Sequence, residues 1–241
     1  MNKKLKIALY MLLALIIVIA GIGIWYVSDY SHASPDANAL LNGSSDVSVN
    51  KVSNGLLLDG PGNDSAVIFY PGAKIEYTAY LPLLMNLSAD GVDCFLVEMP
   101  FNLAFLGANS ADEIIQNSSY NYSNWYISGH SLGGVMASNY AHNHFDNLKG
   151  VILLAAYPAD SLENTSVLSV YGSNDNVLNK EAYEDSKQLM PDNFTEYVIK
   201  GGNHAQFASY GNQSGDGVAT ISDYEQKNET IEEILDFLNE N

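Results

Sequence analysis

Three side chains in this sequence carry the chemistry of a nucleophile, an acid and a base, in an order and in settings that suit those roles. Ser131 lies in Gly129-His130-Ser131-Leu132-Gly133-Gly134. A G-x-S-x-G stretch between a strand and a helix makes a sharp turn that exposes the serine hydroxyl. That context is present: β-prone Trp125, Tyr126 and Ile127 precede it, and Leu132, Val135, Met136 and Tyr140 follow at helical spacing. The flanking glycines remove Cβ atoms that would clash where strand meets helix. The helix N-terminus beneath the serine offers free N–H groups and partial positive charge to an oxyanion. The bland alternative is a glycine-rich connection with an incidental serine, and the partners downstream argue against it.

Residues 151–156 read as a buried strand. A second, residues 167–171, ends in Gly172-Ser173-Asn174-Asp175, and a third, residues 196–199, runs into Gly201-Gly202-Asn203-His204. In open parallel sheets, ligand-binding groups gather just beyond the carboxyl ends of the strands. Ser131, Asp175 and His204 are therefore expected at one sheet edge, with His204 as general base and Asp175 orienting it. Asp160, after the preceding strand, is the competing acid. Among the other histidines, His32 follows the N-terminal apolar segment, and His130 is expected to pack or hydrogen-bond. His142 and His144 lie about 16 Å or more along the helix that Ser131 opens, near an end where a cation complements the dipole. The glycine-rich approach to His204 suits a mobile loop.

An oxyanion needs two donors. The N–H of Leu132, the residue after the nucleophile, is one. The other is expected from residues 71–74, Pro-Gly-Ala-Lys, after a strand at residues 66–70: the N–H of Ala73, with Gly72 allowing close approach. Such a donor contributes about 3–4 kcal/mol to the transition state. Lys74 has two readings, a solvated loop charge or an attractor for an anionic substrate group. Residues 99–106 also have two, the lining of an acyl or aryl pocket or ordinary loop packing.

Gly-His-Ser-Leu-Gly-Gly, Tyr-Gly-Ser-Asn-Asp and Gly-Gly-Asn-His-Ala-Gln-Phe together resemble the α/β-hydrolase superfamily, in particular its small dienelactone-hydrolase-like branch, from residue 66 to the C-terminus. The Ser–Asp–His chain order is that superfamily's order. The resemblance implies a serine hydrolase that forms a covalent acyl-enzyme and needs no cofactor. Dienelactone hydrolases proper use a cysteine nucleophile; here the elbow carries Ser131, and the single cysteine, Cys94, lies inside an apolar strand.

The positioning elements are read from pattern. From residue 66 onward strands and helices alternate, as a mostly parallel α/β sheet with helices on both faces requires. Ser222-Asp223-Tyr224-Glu225 is a capping box opening a last helix with Ile231, Ile234, Leu235 and Leu238 on its apolar face. Asn54-Gly55 predicts the turn of a short hairpin within residues 46–59. The expected fold is a reduced α/β-hydrolase fold, its first strands short or missing. Residues 157–167 leave no room for a cap domain.

Residues 7–27 form 21 consecutive uncharged residues behind Lys3, Lys4 and Lys6, enough to span a bilayer with the N-terminus in the cytoplasm. The expected organisation is an anchor at residues 1–27, a linker at 28–45 and a hydrolase domain at 46–241, single-pass and outside the cell. A cleaved signal, with Ser31-His32-Ala33 as its small-residue site, is the alternative and would give a secreted protein. The triad lies downstream of residue 34, so a chain begun there is expected to keep its activity. The net charge is −18, and without the three anchor lysines seven lysines face 28 acidic residues, a net of −21. Such a surface excludes nucleic-acid partners. One cysteine excludes an internal disulfide framework. The substrate expected is a small carboxylic ester or related acyl compound. An extracellular peptidase of the same fold and a non-catalytic binding module are the alternatives.

Overall fold

Alternation of period two runs through the strands and gives one sheet two apolar faces. In the computed structural model, which describes residues 2–241 except the side chain of Ala8, these strands are β1 (Ser48–Val52), β2 (Gly55–Asp59), β3 (Ser65–Tyr70), β4 (Asp93–Val97), β5 (Asn124–His130), β6 (Gly150–Leu154), β7 (Ser166–Gly172) and β8 (Thr195–Ile199). Their order is β1-β2-β4-β3-β5-β6-β7-β8. β2 is antiparallel to both neighbours and every other pair is parallel. Both faces of such a sheet must be covered, and β6 shows how. Ile152 and Leu154 join one core with Ile231, Ile234 and Phe237, while Val151 and Leu153 join the other with Ala137 and Tyr140.

The helices are α1 (Lys3–Ser28), α2 (Pro35–Ala39), α3 (Leu81–Ala89), α4 (Ala111–Ile115), α5 (Leu132–His144), α6 (Lys180–Ser186) and α7 (Asp223–Glu240). Buried residues of α2, α3 and α7 belong to the first core, those of α4, α5 and α6 to the second. The capping box opens α7, with the Ser222 side chain accepting from Glu225 N–H and the Glu225 side chain accepting from Ser222 N–H. The hairpin strands are present and short. Val52 pairs with Gly55, so the turn is Ser53-Asn54, one residue earlier than expected, because Gly55 with φ +153° already belongs to β2. The β6–β7 connection contains no helix, and no cap domain is present among the described residues.

Residues 28–45 differ from a linker. Ser31 forms a parallel bridge with Ile75, its N–H donating to Lys74 C=O (2.8 Å) and its C=O accepting from Glu76 N–H (2.9 Å). Ser34 N–H donates to Ser209 C=O, and Ser34 caps α2, whose Ala37 is fully buried. Small polar residues look like a linker by composition, but alanine and serine also suit tight packing. α1 is apolar and exposed along its described length, apart from half-buried Val27. At 1.5 Å per residue its 26 residues extend about 39 Å, enough to cross a bilayer.

Register places the site. Tyr70 pairs with Gly129, His130 with Leu154, and Gly172 with Ile199, so the segments following β3, β5, β7 and β8 leave the same edge. Between β3 and β5 the chain reverses its direction of travel across the sheet, and such a switch point leaves a crevice. The crevice is tight: a Cβ on Gly133 would meet the carbonyl oxygens of Tyr70 and Pro71, which are backbone and cannot turn aside. Gly133→Ala is expected to cost about 1–3 kcal/mol, read as a fall in thermal midpoint of roughly 2–4 °C per kcal/mol by calorimetry. An unchanged midpoint would refute this account of the glycine.

Candidate active site

Ser131 occupies the turn between β5 and α5 with φ 54° and ψ −126°, a conformation that costs a non-glycine residue on the order of 1–3 kcal/mol. The surroundings hold it there. Its N–H donates to Leu154 C=O (2.9 Å), and its C=O accepts from Val135 N–H (3.2 Å) in the first turn of α5. The side chain is left half-exposed at the crevice.

Asp175 and His204 meet across the loops that follow β7 and β8. His204 Nδ1 lies 2.8 Å from Asp175 Oδ2, and both side chains are buried. Asp175 Oδ1 also accepts from the N–H groups of Val177 and Leu178, each at 2.8 Å. A buried carboxylate accepts only, so His204 Nδ1 carries the proton toward it and Nε2 is the basic nitrogen. His204 Nε2 is buried with no hydrogen-bond partner in the protein. His204 and Ser131 line the same two pockets. Asp160 is elsewhere: its Oδ2 accepts from Asn139 Nδ2 (3.1 Å).

The segment carrying His204 is pinned, in contrast to the mobile loop its glycines suggest. Gln226 of α7 accepts from Asn203 N–H (2.9 Å) and donates to Asn203 C=O (2.8 Å). Ala205 N–H donates to Asp216 (2.9 Å) and Asn203 Nδ2 to Gly217 C=O (2.8 Å). Gln226 gave no signal in the sequence because it lies 22 residues downstream on another element.

The expected oxyanion donors lie at the same crevice. Neither Ala73 nor Leu132 N–H has a partner among the described residues. Gly72 N–H donates to Tyr80 Oη (2.9 Å), and Tyr80 Oη lies 2.8 Å from His130 Nδ1. A hydroxyl already accepting from Gly72 has its proton free for His130, so His130 Nδ1 accepts. The His130 ring packs at a tilt against those of His204 and Phe207, with centroids 4.5 Å and 5.5 Å away. Tyr80 and His130 thus tie the loop after β3 to the ring of His204, a link legible only in three dimensions.

Two pockets flank Ser131. One, about 220 Å³, is lined by Leu132, Val135, Ala155, Ala156, Val177 and Leu178 with Tyr157 and Asn179 at its margin. The other, about 340 Å³, is polar: Asp29, Tyr30, Ser31, Ala73, Lys74 and Gln213 surround it. A larger cleft of about 570 Å³ beside α2 includes neither Ser131 nor His204. Lys74 is a partly exposed loop charge that has a partner: its Nζ pairs with the exposed Asp29 (2.8 Å) and lies 4.7 Å from the centre of the Tyr26 ring. Residues 99–106 line neither pocket. His142 and His144 occupy the last turn of α5, each with Nδ1 on a backbone carbonyl. Burial pushes the Cys94 thiol up to about 12, so it carries no nucleophilic thiolate at neutral pH. Among the described residues no group of His, Cys, Asp or Glu is placed to hold a metal ion.

Burial, followed by the neighbouring His204, holds His130 well below the ordinary imidazole value of 6.5. The unfolded chain therefore binds a proton that the folded chain refuses. The contribution is neutral above about pH 6.5 and destabilises increasingly as the pH falls below it, by up to about 1.4 kcal/mol per unit. Unfolding free energy measured in urea is expected to fall between about pH 6.5 and 5.5 more steeply in the native chain than in His130→Gln, by roughly 1 kcal/mol. Equal slopes would refute a neutral, buried His130.

Comparison with known proteins agrees with this architecture. No match was found among curated proteins. The alpha/beta hydrolase GrgF from Penicillium sp. sh18 superposes with a TM-score of 0.62 at 12% identity, over 80% of this chain and 98% of that one. Est1E from Butyrivibrio proteoclasticus gives 0.54 at 15% identity, over 81% and 100%. The Paleococcus ferrophilus monoacylglycerol lipase gives 0.56 at 14% identity, over 73% and 96%. At such identities these likenesses concern the fold. The family model described as "Alpha/beta hydrolase family" matches residues 66–228, which contain the elbow serine, the buried aspartate–histidine pair and the strands that carry them. The chain belongs to the alpha/beta hydrolase family.

Proposed function

We propose that this protein is a serine hydrolase that cleaves carboxylic esters, or related acyl bonds, through an acyl-enzyme on Ser131. The observation that carries the reading is the buried Asp175–His204 pair, which leaves His204 Nε2 uncommitted while His204 lines the same pockets as the elbow serine. Ser131 Oγ attacks the acyl carbon while its proton passes to His204 Nε2. The developing imidazolium is stabilised by Asp175, and the oxyanion takes the N–H groups of Leu132 and Ala73. Collapse breaks the bond to the leaving alkoxide, which receives the proton from His204. Water, deprotonated by His204, then attacks the acyl-enzyme, and the second collapse releases the acid and returns the proton to Ser131.

The apolar pocket suits a hydrocarbon portion of the substrate. A peptidase would need a carboxylate free to grip a peptide amine, and the one carboxylate lining the site, Asp29, is already paired with Lys74. We read α1 as an uncleaved membrane anchor that leaves the catalytic domain outside. Support comes from the residues just after the helix: Asp29, Tyr30 and Ser31 line the polar pocket, and Ser31 bridges to Ile75 next to the oxyanion loop. The pocket wall therefore does not lie wholly downstream of residue 34, and cleavage after Ala33 would remove part of it.

Ser131→Ala is expected to abolish labelling by a fluorophosphonate probe and turnover of p-nitrophenyl esters in a folded protein; retained activity would remove Ser131 from the mechanism. Asp175→Asn should lower kcat by about 10⁴-fold, the cost of losing the orienting carboxylate, and Asp160→Asn should leave it unaltered; the reverse ranking would reassign the acid.

The role of the segment after α1 is tested by truncation. A chain begun at Asp29 should keep its ester turnover, whereas one begun at Ser34 should lose at least about tenfold in kcat/KM with the Ser31 bridge gone. Equal activity of the two, or isolation of a mature protein beginning at Ser34, would overturn the anchored reading and leave the triad assignment standing.

A further inference from the structure

The membrane helix ends at the mouth of the pocket that holds Ser131. α1 stops at Ser28, and the next three residues, Asp29, Tyr30 and Ser31, line that pocket together with Ser131 and His204. The junction is braced: Lys74 Nζ holds Asp29 and lies over the ring of Tyr26 in the last turns of α1. Lys74 N–H in turn donates to Asn102 C=O (2.7 Å), and the turn at Pro100–Asn102 lies against α1.

From this turn projects a surface unlike the rest of the domain. Phe101, Phe105 and Leu106 are 65%, 54% and 49% exposed. Phe101 and Asn102 both have φ +55°, a conformation uncommon for a bulky residue, and here it accompanies an outward aromatic ring. Residues 99–111 contain no charged side chain, in a domain with a net charge of −21. A domain so acidic is repelled by anionic headgroups, so any contact with a bilayer must come through such an uncharged, apolar patch. Its neighbour α1 fixes the occupant, because an apolar helix that crosses a bilayer brings whatever adjoins its end to the bilayer surface.

We infer that Phe101, Phe105 and Leu106 dock into the outer leaflet of the membrane that α1 spans, and that the Ser131 pocket draws an amphiphilic, bilayer-resident acyl ester as its substrate. This rests on the esterase and anchor readings above and adds the class of substrate and the route by which it arrives. An ester carbonyl at headgroup depth needs only a short lateral path into the polar pocket, and its hydrocarbon part finds the apolar pocket on the other side of Ser131.

The test uses the full chain in phosphatidylcholine vesicles, with p-nitrophenyl palmitate dissolved in the bilayer and p-nitrophenyl acetate in solution. The double variant Phe105→Ser, Leu106→Ser is expected to lose about tenfold in turnover of the palmitate, through lost apolar insertion, and to hydrolyse the acetate at the native rate. Unchanged palmitate turnover, or an equal loss on both esters, would overturn the inference. A second arm needs no turnover. In a Ser131→Ala chain, Phe105→Trp adds a fluorophore, and bromine-labelled phosphatidylcholine chains should quench its added emission by about half or more if it reaches the headgroup–acyl boundary. Unquenched emission would overturn the docking. Quenching in the tryptophan variant, together with hydrolysis of neither ester by the native chain, would uphold the docking and overturn the esterase reading.

Discussion

Asp175 is a carboxylate shut off from water, and the edge of the sheet that carries Ser131 is organised around satisfying it. Burying an ion costs several kcal/mol unless it is paired and hydrogen-bonded. Asp175 meets that demand with three donors, the N–H groups of Val177 and Leu178 and the imidazole of His204. The demand fixes the loop after β7 in one conformation and requires the loop after β8 to present a ring at one place. Cross-links between the loops keep them there: Gly201 N–H donates to Ser173 Oγ (2.8 Å) and Asn174 N–H to Gly202 C=O (2.9 Å). Gln226 clamps the backbone of Asn203, the residue before His204, from α7. A helix at the far end of the chain thereby helps to hold the His204 ring in place.

The same kind of constraint acts on the other side of Ser131. The loop after β3 is held by Tyr80, which is held by His130, which packs against the His204 ring. His130 is kept neutral by burial, so it places no positive charge beside the His204 ring. The strained turn at Ser131, the loop after β3 and His204 are thus parts of one packed unit. Strain of this kind persists where the surroundings over-determine it, and the close approach at Gly133 is part of that over-determination.

The segment after α1 is built into the wall of the site. Ser31 forms a bridge with Ile75, and Lys74, in the loop after β3, pairs with Asp29 and lies over the Tyr26 ring. The end of α1, the loop after β3 and the pocket are contiguous. A flexible tether would leave the domain free to turn about α1, whereas this junction braces the one against the other.

Much of the molecule was legible in the residues. Short apolar, β-prone runs marked the strands, the capping box marked the start of α7, and the elbow with its ordered aspartate and histidine marked one edge of one sheet. These signals are local, set by side-chain periodicity, by glycine's missing Cβ and by the short reach of a capping serine. What they could not carry was any relation between elements distant in sequence. Asp175 and Asp160 both follow strand ends, and only the folded loops show which one meets His204. Residues 28–45 have a linker's composition, but their burial depends on the surfaces of α3 and of the chain near Ser209. Lys74 reads alone as a loop charge, and its partners on α1 and at Asp29 are about 45 residues away along the chain. Local patterns specify elements because propensity and amphipathicity act over a few residues. Which loop end faces which is decided by the register of the sheet and by the need to satisfy buried polar groups, and both exist only once the chain has packed.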